Sequence, residues 1–162
     1  MNHNNLNSEA SYILLDDFAL CNIRMNKGWV GIHEADENKG LYYYLYSGSP
    51  KVGVAFEDTL ITLTKGALTS TKQYLSKSII IETSDNCDIL IFNTTDESQD
   101  WSGSLVTSTF TCNNDNSYLI CLDGTPKVNS TTMQKFDYSK LTSGKEYSVT
   151  LNGGVLGLFT KS

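Results

Sequence analysis

The hexapeptide IHEADE, residues 32–37, holds the densest group of side chains able to do chemistry. Glu34 and Asp36 lie two apart, so on a continuous strand they share a face. With His33 or Glu37 they would offer hard oxygen ligands to a cation. The plainer reading is a solvated acidic turn running into ENKG, so Glu34 and Asp36 stand as secondary metal candidates and no metal centre is assigned. The stretch LYYYLY, residues 41–46, offers a different chemistry. Tyr42, Tyr44 and Tyr46 line one strand face, with Tyr43 on the other. Aromatic stripes inside a barrel stack on sugars and other flat ligands, and phenol hydroxyls fix the orientation. These three tyrosines are the candidate ligand-binding residues, with cross-strand packing as the alternative.

Catalysis finds less support. A covalent nucleophile needs a nearby base, and the only histidines are His3 and His33. Cys87 or Cys21 would have to meet His33 in space. Glu82, Tyr44 and Lys72 have the right types for acid–base work, but nothing singles them out, so no catalytic residue is assigned. No glycine-rich phosphate loop follows a strand and opens a helix, and no cofactor is expected. The four cysteines, Cys21, Cys87, Cys112 and Cys121, lack C-x-x-C spacing and read as reduced thiols on strands. Cys112 and Cys121 flank the turn NNDNS and are the one pair placed to bridge.

These residues need elements to hold them, and the composition favours strands. Ser, Thr and Asn are abundant, tyrosine is high at nine, and apolar residues make up 40% of the 162 positions. That balance is globular and rich in strands and turns. The net charge is −6. Residues 1–98 carry 13 acids and 7 bases, and residues 99–162 carry 5 of each, so the excess acid lies in the first part. One arginine, Arg24, and no basic run argue against nucleic acid and against an anionic membrane surface. The polar start MNHNNLNSEA is no secretory signal, and no apolar run reaches membrane-spanning length. The expected location is the cytoplasm.

The text repeats itself. LYYYLYSGSPKV (41–52) returns as YLICLDGTPKV (118–128), and both prolines of the chain, Pro50 and Pro126, sit in this phrase. At an offset of 76, Gly48 meets Gly124 and Val52 meets Val128. LTKG (63–66) then meets LTSG (141–144), and DILIFNT (88–94) meets VLGLFTK (155–161). Landmarks that keep their order while the loops between them change length are the mark of a duplicated unit. The first unit reads as strands at 29–34, 41–46, 52–56, 60–64, 78–83 and 88–94. The second reads as strands at 105–112, 117–122, 127–138, 145–151 and 155–159. SGSP and DGTP are expected hairpin turns. Residues 68–77 read either as a two-turn helix, with Thr69 or Ser70 as N-cap, or as an irregular loop. Residues 9–20 read as an arm adding a strand.

Together these landmarks resemble the cupin superfamily. Its pattern is an aromatic-rich strand, a glycine turn, a valine strand, Leu-x-x-Gly and two more strands. LYYYLYSGSPKV…LITLTKG…SIIIET…DILIFNT fits that order, as does YLICLDGTPKV…KLTSGKEYSVTL…VLGLF. The resemblance implies an all-β, antiparallel jelly-roll or barrel built from two sequence-related halves. The expected organisation is an arm at 1–28, a first unit at 29–94, a linker at 95–103 and a second unit at 104–162. Metal-bearing members place H-x-H and Glu just before the aromatic strand and a further His near the later strands. Here the Glu position falls on Leu41, and the His positions fall on Glu34 and Asp36 or on Ala35 and Glu37. In the second unit the same positions fall on Ser117, Cys112 and Phe110. No histidine follows His33, so the resemblance carries the fold and not the metal chemistry.

The expected function is therefore a metal-free binding module for a small polar, carbohydrate-type ligand. Two alternatives come from other classes: a structural or assembly protein such as a virion component, and a sugar isomerase- or epimerase-like enzyme. An exposed sheet edge invites a partner strand, and a homodimer is the expected oligomer.

Overall fold

The computed structural model describes residues 8–14, 18–28, 30–34, 40–71, 74, 77–94 and 100–162. The chain divides into two compact units, Met1–Ser98 and Gln99–Ser162. Among the described residues both are built of antiparallel strands, and no α-helix occurs.

The first unit holds β1 (Ser8–Leu14), β2 (Phe18–Met25), β3 (Val30–Glu34), β4 (Gly40–Ser47), β5 (Lys51–Val54), β6 (Leu60–Ile61), β7 (Leu68–Ser70), β8 (Ser78–Glu82) and β9 (Cys87–Thr94). They form two sheets, ordered β1-β2-β9-β4-β7 and β3-β8-β5-β6. The side-chain period of two explains the core between them. Tyr43 and Leu45 of β4, Ile89 and Ile91 of β9, and Ile23 and Met25 of β2 meet Val52, Val54, Ile79 and Ile81 from the other sheet. Fully burying an aliphatic side chain of this kind stabilises by roughly 1.5–3 kcal/mol. The opposite faces of β4 and β9 are buried as well, through Tyr42, Tyr44, Tyr46, Leu90 and Phe92. That double burial is what the unbroken apolar text of LYYYLY and DILIF implies.

The second unit holds β10 (Trp101–Val106), β11 (Phe110–Thr111), β12 (Ser117–Asp123), β13 (Lys127–Val128), β14 (Thr131–Thr132), β15 (Tyr138–Lys140), β16 (Glu146–Tyr147), β17 (Val149–Thr150) and β18 (Val155–Lys161). Its larger sheet is β10-β18-β12-β15, and the remaining strands form β11-β16 and β14-β13-β17. Leu119 and Cys121 of β12 and Leu156 of β18 meet Val106, Cys112, Met133, Leu141 and Tyr147 in its core.

Both glycine turns do something other than expected. SGSP does not close a hairpin, because β4 pairs with β7 and β9, whereas β5 pairs with β6 and β8. It is a corner that carries the chain from one sheet to the other. DGTP does the same between β12 and β13. A bulge precedes each corner, between Leu45 and Ser47 in one unit and between Cys121 and Asp123 in the other. Gly48 (φ +87°) and Gly124 (φ +70°) then take a left-handed turn, and the proline two residues on has no N–H to offer a ladder.

Two further expectations change. Leu68–Ser70, read as the start of a helix, pairs with Tyr44–Tyr42 as β7. The chain then turns through N–H bonds from Tyr74 to the Thr71 carbonyl and from Lys77 to the Tyr74 carbonyl. Lys72 lies outside the described residues. The arm adds two strands: β1 pairs with β2 along its length, and β2 pairs with β9.

Candidate functional site

The second unit opens into a cavity of about 580 Å³, bordered by residues between Val128 and Tyr147. Strand register decides which side chains enter it. Val128 packs against the core and pairs with Thr131, so Thr131 and then Met133 face inward. Ser139 pairs with the buried Leu119 and shares its face. Tyr138 and Lys140 pair with Ile120 and Tyr118 on the other face of β12. The Lys140 ammonium accordingly sits 5.8 Å from the centre of the Tyr118 ring.

The far wall is a turn that is fastened at many points. The N–H of Leu141 donates to the Ser117 carbonyl at 2.9 Å, and that of Gly144 donates to the Cys112 carbonyl at 2.8 Å. The Ser143 N–H donates to Asp115 Oδ1 at 2.7 Å, and the Thr142 N–H donates to Tyr147 Oη at 2.9 Å. The Cys112 N–H donates to the Lys145 carbonyl at 2.9 Å. Tyr147, 6% exposed, stacks on Phe110 with ring centres 5.6 Å apart. The Lys145 ammonium lies 5.4 Å from the Tyr147 ring centre. The result is an apolar floor of Val128, Met133 and Tyr147 beneath hydroxyls and one ammonium, which is the usual make-up of a small-molecule pocket.

The tyrosine stripe lies elsewhere. Tyr42, Tyr44 and Tyr46 occupy one face of β4, all at or below 5% exposure. The Tyr42 ring meets Phe92 edge-on at 6.0 Å, and the Tyr44 and Tyr46 ring centres are 6.5 Å apart. The residue of this phrase that looks into the first unit's core is Tyr43. Burial pushes the phenols of Tyr43 and Tyr44 well above their ordinary range. None of these tyrosines borders the second-unit cavity or a smaller one of about 360 Å³ on the outside of the first unit. The smaller one lies over Gly53, Leu60, Ile80 and Glu82.

Only part of the metal candidate stretch is described. Glu34 ends β3, where its backbone faces Ser78, and His33 faces Ile79. Asp36 and Glu37 lie outside the described residues. No group of three or more His, Cys, Asp or Glu side chains gathers among the described residues. In the second unit the positions that metal-bearing cupins fill with ligands do not fit a metal. Phe110 is stacked on Tyr147, the Cys112 thiol donates to the Asn114 carbonyl at 3.1 Å, and Ser117 bonds Thr160 at 3.0 Å.

The described cysteines, Cys87, Cys112 and Cys121, are buried and free. Burial pushes the Cys87 and Cys121 thiols up to about 11. Cys121 donates toward the Asp123 and Gly124 carbonyls, at 3.5 and 3.6 Å. Trp101 is 6% exposed, with its ring 6.1 Å from Tyr118.

The pocket residues escaped sequence reasoning because they sit on strands of two or three residues, as Thr131, Ser139 and Tyr147 do, or on the turns between them, as Met133 and Lys145 do. The available signal was charge. Residues 127–147 hold four lysines against two carboxylates in a chain of net charge −6.

No protein-family model matches the sequence, and no curated protein matches it. Solved structures do match. HutD from Pseudomonas fluorescens SBW25 is 13% identical, with a TM-score of 0.66, over 100% of this chain and 92% of that one. A cupin 2 conserved barrel domain protein from Leptotrichia buccalis is 13% identical, with a TM-score of 0.55, over 100% and 92%. A deletion mutant of oxalate decarboxylase OxdC from Bacillus subtilis is 9% identical, with a TM-score of 0.66, over 100% and 75%. At such identities the likeness is one of fold, and the fold is that of the cupins.

Proposed function

We propose that this cupin-fold chain is a binding protein for a small polar molecule, which enters the open end of the second unit between β13–β14 and the turn at 141–145. One observation carries the reading: a cavity of about 580 Å³ in which Thr131, Ser139 and Lys145 surround an apolar floor. Pockets of roughly 300–1,000 Å³ with a few convergent polar groups suit ligands of this size. The immobilised turn supports it further, because a preorganised wall loses little freedom on binding. The stripe of Tyr42, Tyr44 and Tyr46 remains a candidate ligand surface on this reading, secondary to the cavity.

Melting curves with a panel of small polar metabolites test the proposal. A ligand that binds only the folded chain stabilises it by about 2.7 kcal/mol at a hundredfold excess over Kd. Ser139→Trp and Thr131→Trp would each fill the opening and should abolish the shift while keeping the ligand-free melting temperature. Equal shifts in wild type and both variants would reject this cavity as the site.

A second reading, an assembly protein such as a virion component, is favoured by the outer face of β3-β8-β5-β6. Val30 and Leu60 are exposed there, and Phe56 at the β5–β6 turn is fully exposed. Large apolar side chains exposed on one sheet and its turn are the kind of surface that association covers. Sedimentation over a wide concentration range distinguishes the two. Self-association abolished by Phe56→Ser and Leu60→Ser, with no ligand shift, would favour assembly.

A further inference from the structure

We infer that the ligand of the second-unit cavity is a small organic carboxylate, gripped between the Lys145 ammonium and the Tyr147 hydroxyl. The inference rests on the reading of this cavity as the binding site and adds the chemical class of its occupant.

Three observations lead to it. The first is the aim of the lysines. Lys140 and Lys145 both border the cavity, but the Lys140 ammonium turns over Tyr118 on the other face of β12. Lys135 lies over Phe136, 5.2 Å from the ring centre. Lys145 alone lies over a ring of the inner core, that of Tyr147. It joins no ion pair among the described residues. A cation left over an aromatic face in a half-enclosed site gains a modest attraction and keeps its capacity for an anion.

The second is the hydrogen-bond account of Tyr147. Its oxygen already accepts the Thr142 N–H at 2.9 Å. A phenol that accepts in this way still has one proton to donate. Tyr147 is 6% exposed, and its proton meets no acceptor among the described residues. The floor of the cavity thus presents a donor that requires an acceptor from the ligand.

The third is the sign and size of the charge. Residues 127–147 hold Lys127, Lys135, Lys140 and Lys145 against Asp137 and Glu146. Glu146 alternates with Tyr147 and faces the other side of β16, where it pairs with Thr111. Asp137 borders the cavity, with one oxygen accepting the Gln134 N–H at 2.8 Å. One ammonium over the cavity floor, with a carboxylate on the rim, balances a single negative charge. A phosphate, which carries more than one charge near neutral pH, would meet too few cations and the repulsion of Asp137. The hydroxyls of Thr131 and Ser139 and the apolar side of Met133 would contact the rest of the molecule.

Backbone amide NMR spectra recorded during titration with acetate, succinate and benzoate, and with acetamide, succinamide and benzamide, test the assignment. The acids should shift amides between residues 128 and 147 saturably, and at least one should bind about tenfold more tightly than its amide, the worth of one charge-assisted hydrogen bond. Lys145→Gln should remove that advantage and Lys145→Arg should keep it. Lys145 is exposed, so neither change threatens the fold. Amides that bind as well as acids, an unchanged Lys145→Gln profile, or inorganic phosphate that outcompetes every acid would each overturn the carboxylate assignment and leave the cavity as a binding site. Absence of any shift at 128–147 with all six probes would overturn both.

Discussion

Gly48 lies against the start of β9 so closely that a side chain there would collide with Cys87. A Cβ added to Gly48 would come within 2.7 Å of the Cys87 Cα and 2.6 Å of the Asn86 carbonyl oxygen. Gly124, its counterpart by sequence, would place a Cβ 2.7 Å from the Gly154 Cα. Both residues also sit at positive φ. In each unit the corner between sheets is therefore closed by backbone packed directly on backbone.

Gly48→Val and Gly124→Val should each cost more than about 3 kcal/mol, from left-handed strain together with overpacking. Gly144 provides the control, with φ +83° and open space around it. Gly144→Ala should cost about 1–2 kcal/mol from strain alone. Urea unfolding measures all three. Normal stability in both valine variants would count against matching corners and against the duplication they suggest.

The thiols make a pH prediction. Cys87 and Cys121 titrate near 11 in the folded chain because they are buried, against about 8.5 when unfolded. A raised pKa means that the folded state holds its proton longer. The associated stability is complete below about pH 8.5 and is lost as pH rises toward 11. Alkylation by iodoacetamide at pH 8.5 should be slow in the native protein and fast in urea. Cys87→Ala and Cys121→Ala together should flatten the fall in melting temperature between pH 8.5 and 11.

Two ion pairs of the first unit should behave differently. Arg24 Nε bonds Asp88 Oδ1 at 3.0 Å, and the carboxylate side chain is only 9% exposed. Lys77 Nζ bonds Glu57 Oε1 at 2.6 Å with both partners in solvent. Arg24→Met leaves a buried carboxylate without its cation and should cost about 2 kcal/mol, reduced from the fully buried case by the exposure of Arg24. Lys77→Met should leave the stability nearly unchanged, because water screens an exposed pair. Equal costs in denaturant titrations would contradict this placement of Asp88.

Phe56 has φ +64° and its side chain lies wholly in water. A bulky residue gains nothing from such a position in an isolated chain and bears left-handed strain of about 1–2 kcal/mol. Phe56→Gly should relieve most of that strain and raise the melting temperature of the dilute protein. A lower melting temperature would mean that Phe56 packs against a second molecule, and sedimentation of the same variant would reveal it.

Much of this architecture is legible in the sequence. LYYYLY and DILIF announce doubly buried strands because both faces are apolar, and β4 and β9 are buried on both sides. Turn chemistry is more ambiguous. Gly-x-Pro stops a strand in the same words whether the chain folds back on itself or crosses to another sheet, and only the pairing of β4 with β7 and β9 decides it. Leu68–Ser70 reads as a helix start because Thr and Ser suit an N-cap, yet pairing with Tyr42–Tyr44 prevails over that local preference. Periodicity separates Tyr43 from Tyr42, Tyr44 and Tyr46, but which face meets a core depends on partners distant in sequence. The cavity was least legible. Strands such as β13, β14 and β16 have two residues each, too few to show a period.

The most direct test is a crystal structure of the chain with the tightest-binding carboxylate of the titration series. The ligand is expected in the second-unit cavity, its carboxylate within about 3 Å of Lys145 Nζ and Tyr147 Oη. A ligand bound beside Tyr42, Tyr44 and Tyr46, on the outer face of the first unit, or nowhere in the chain would contradict it.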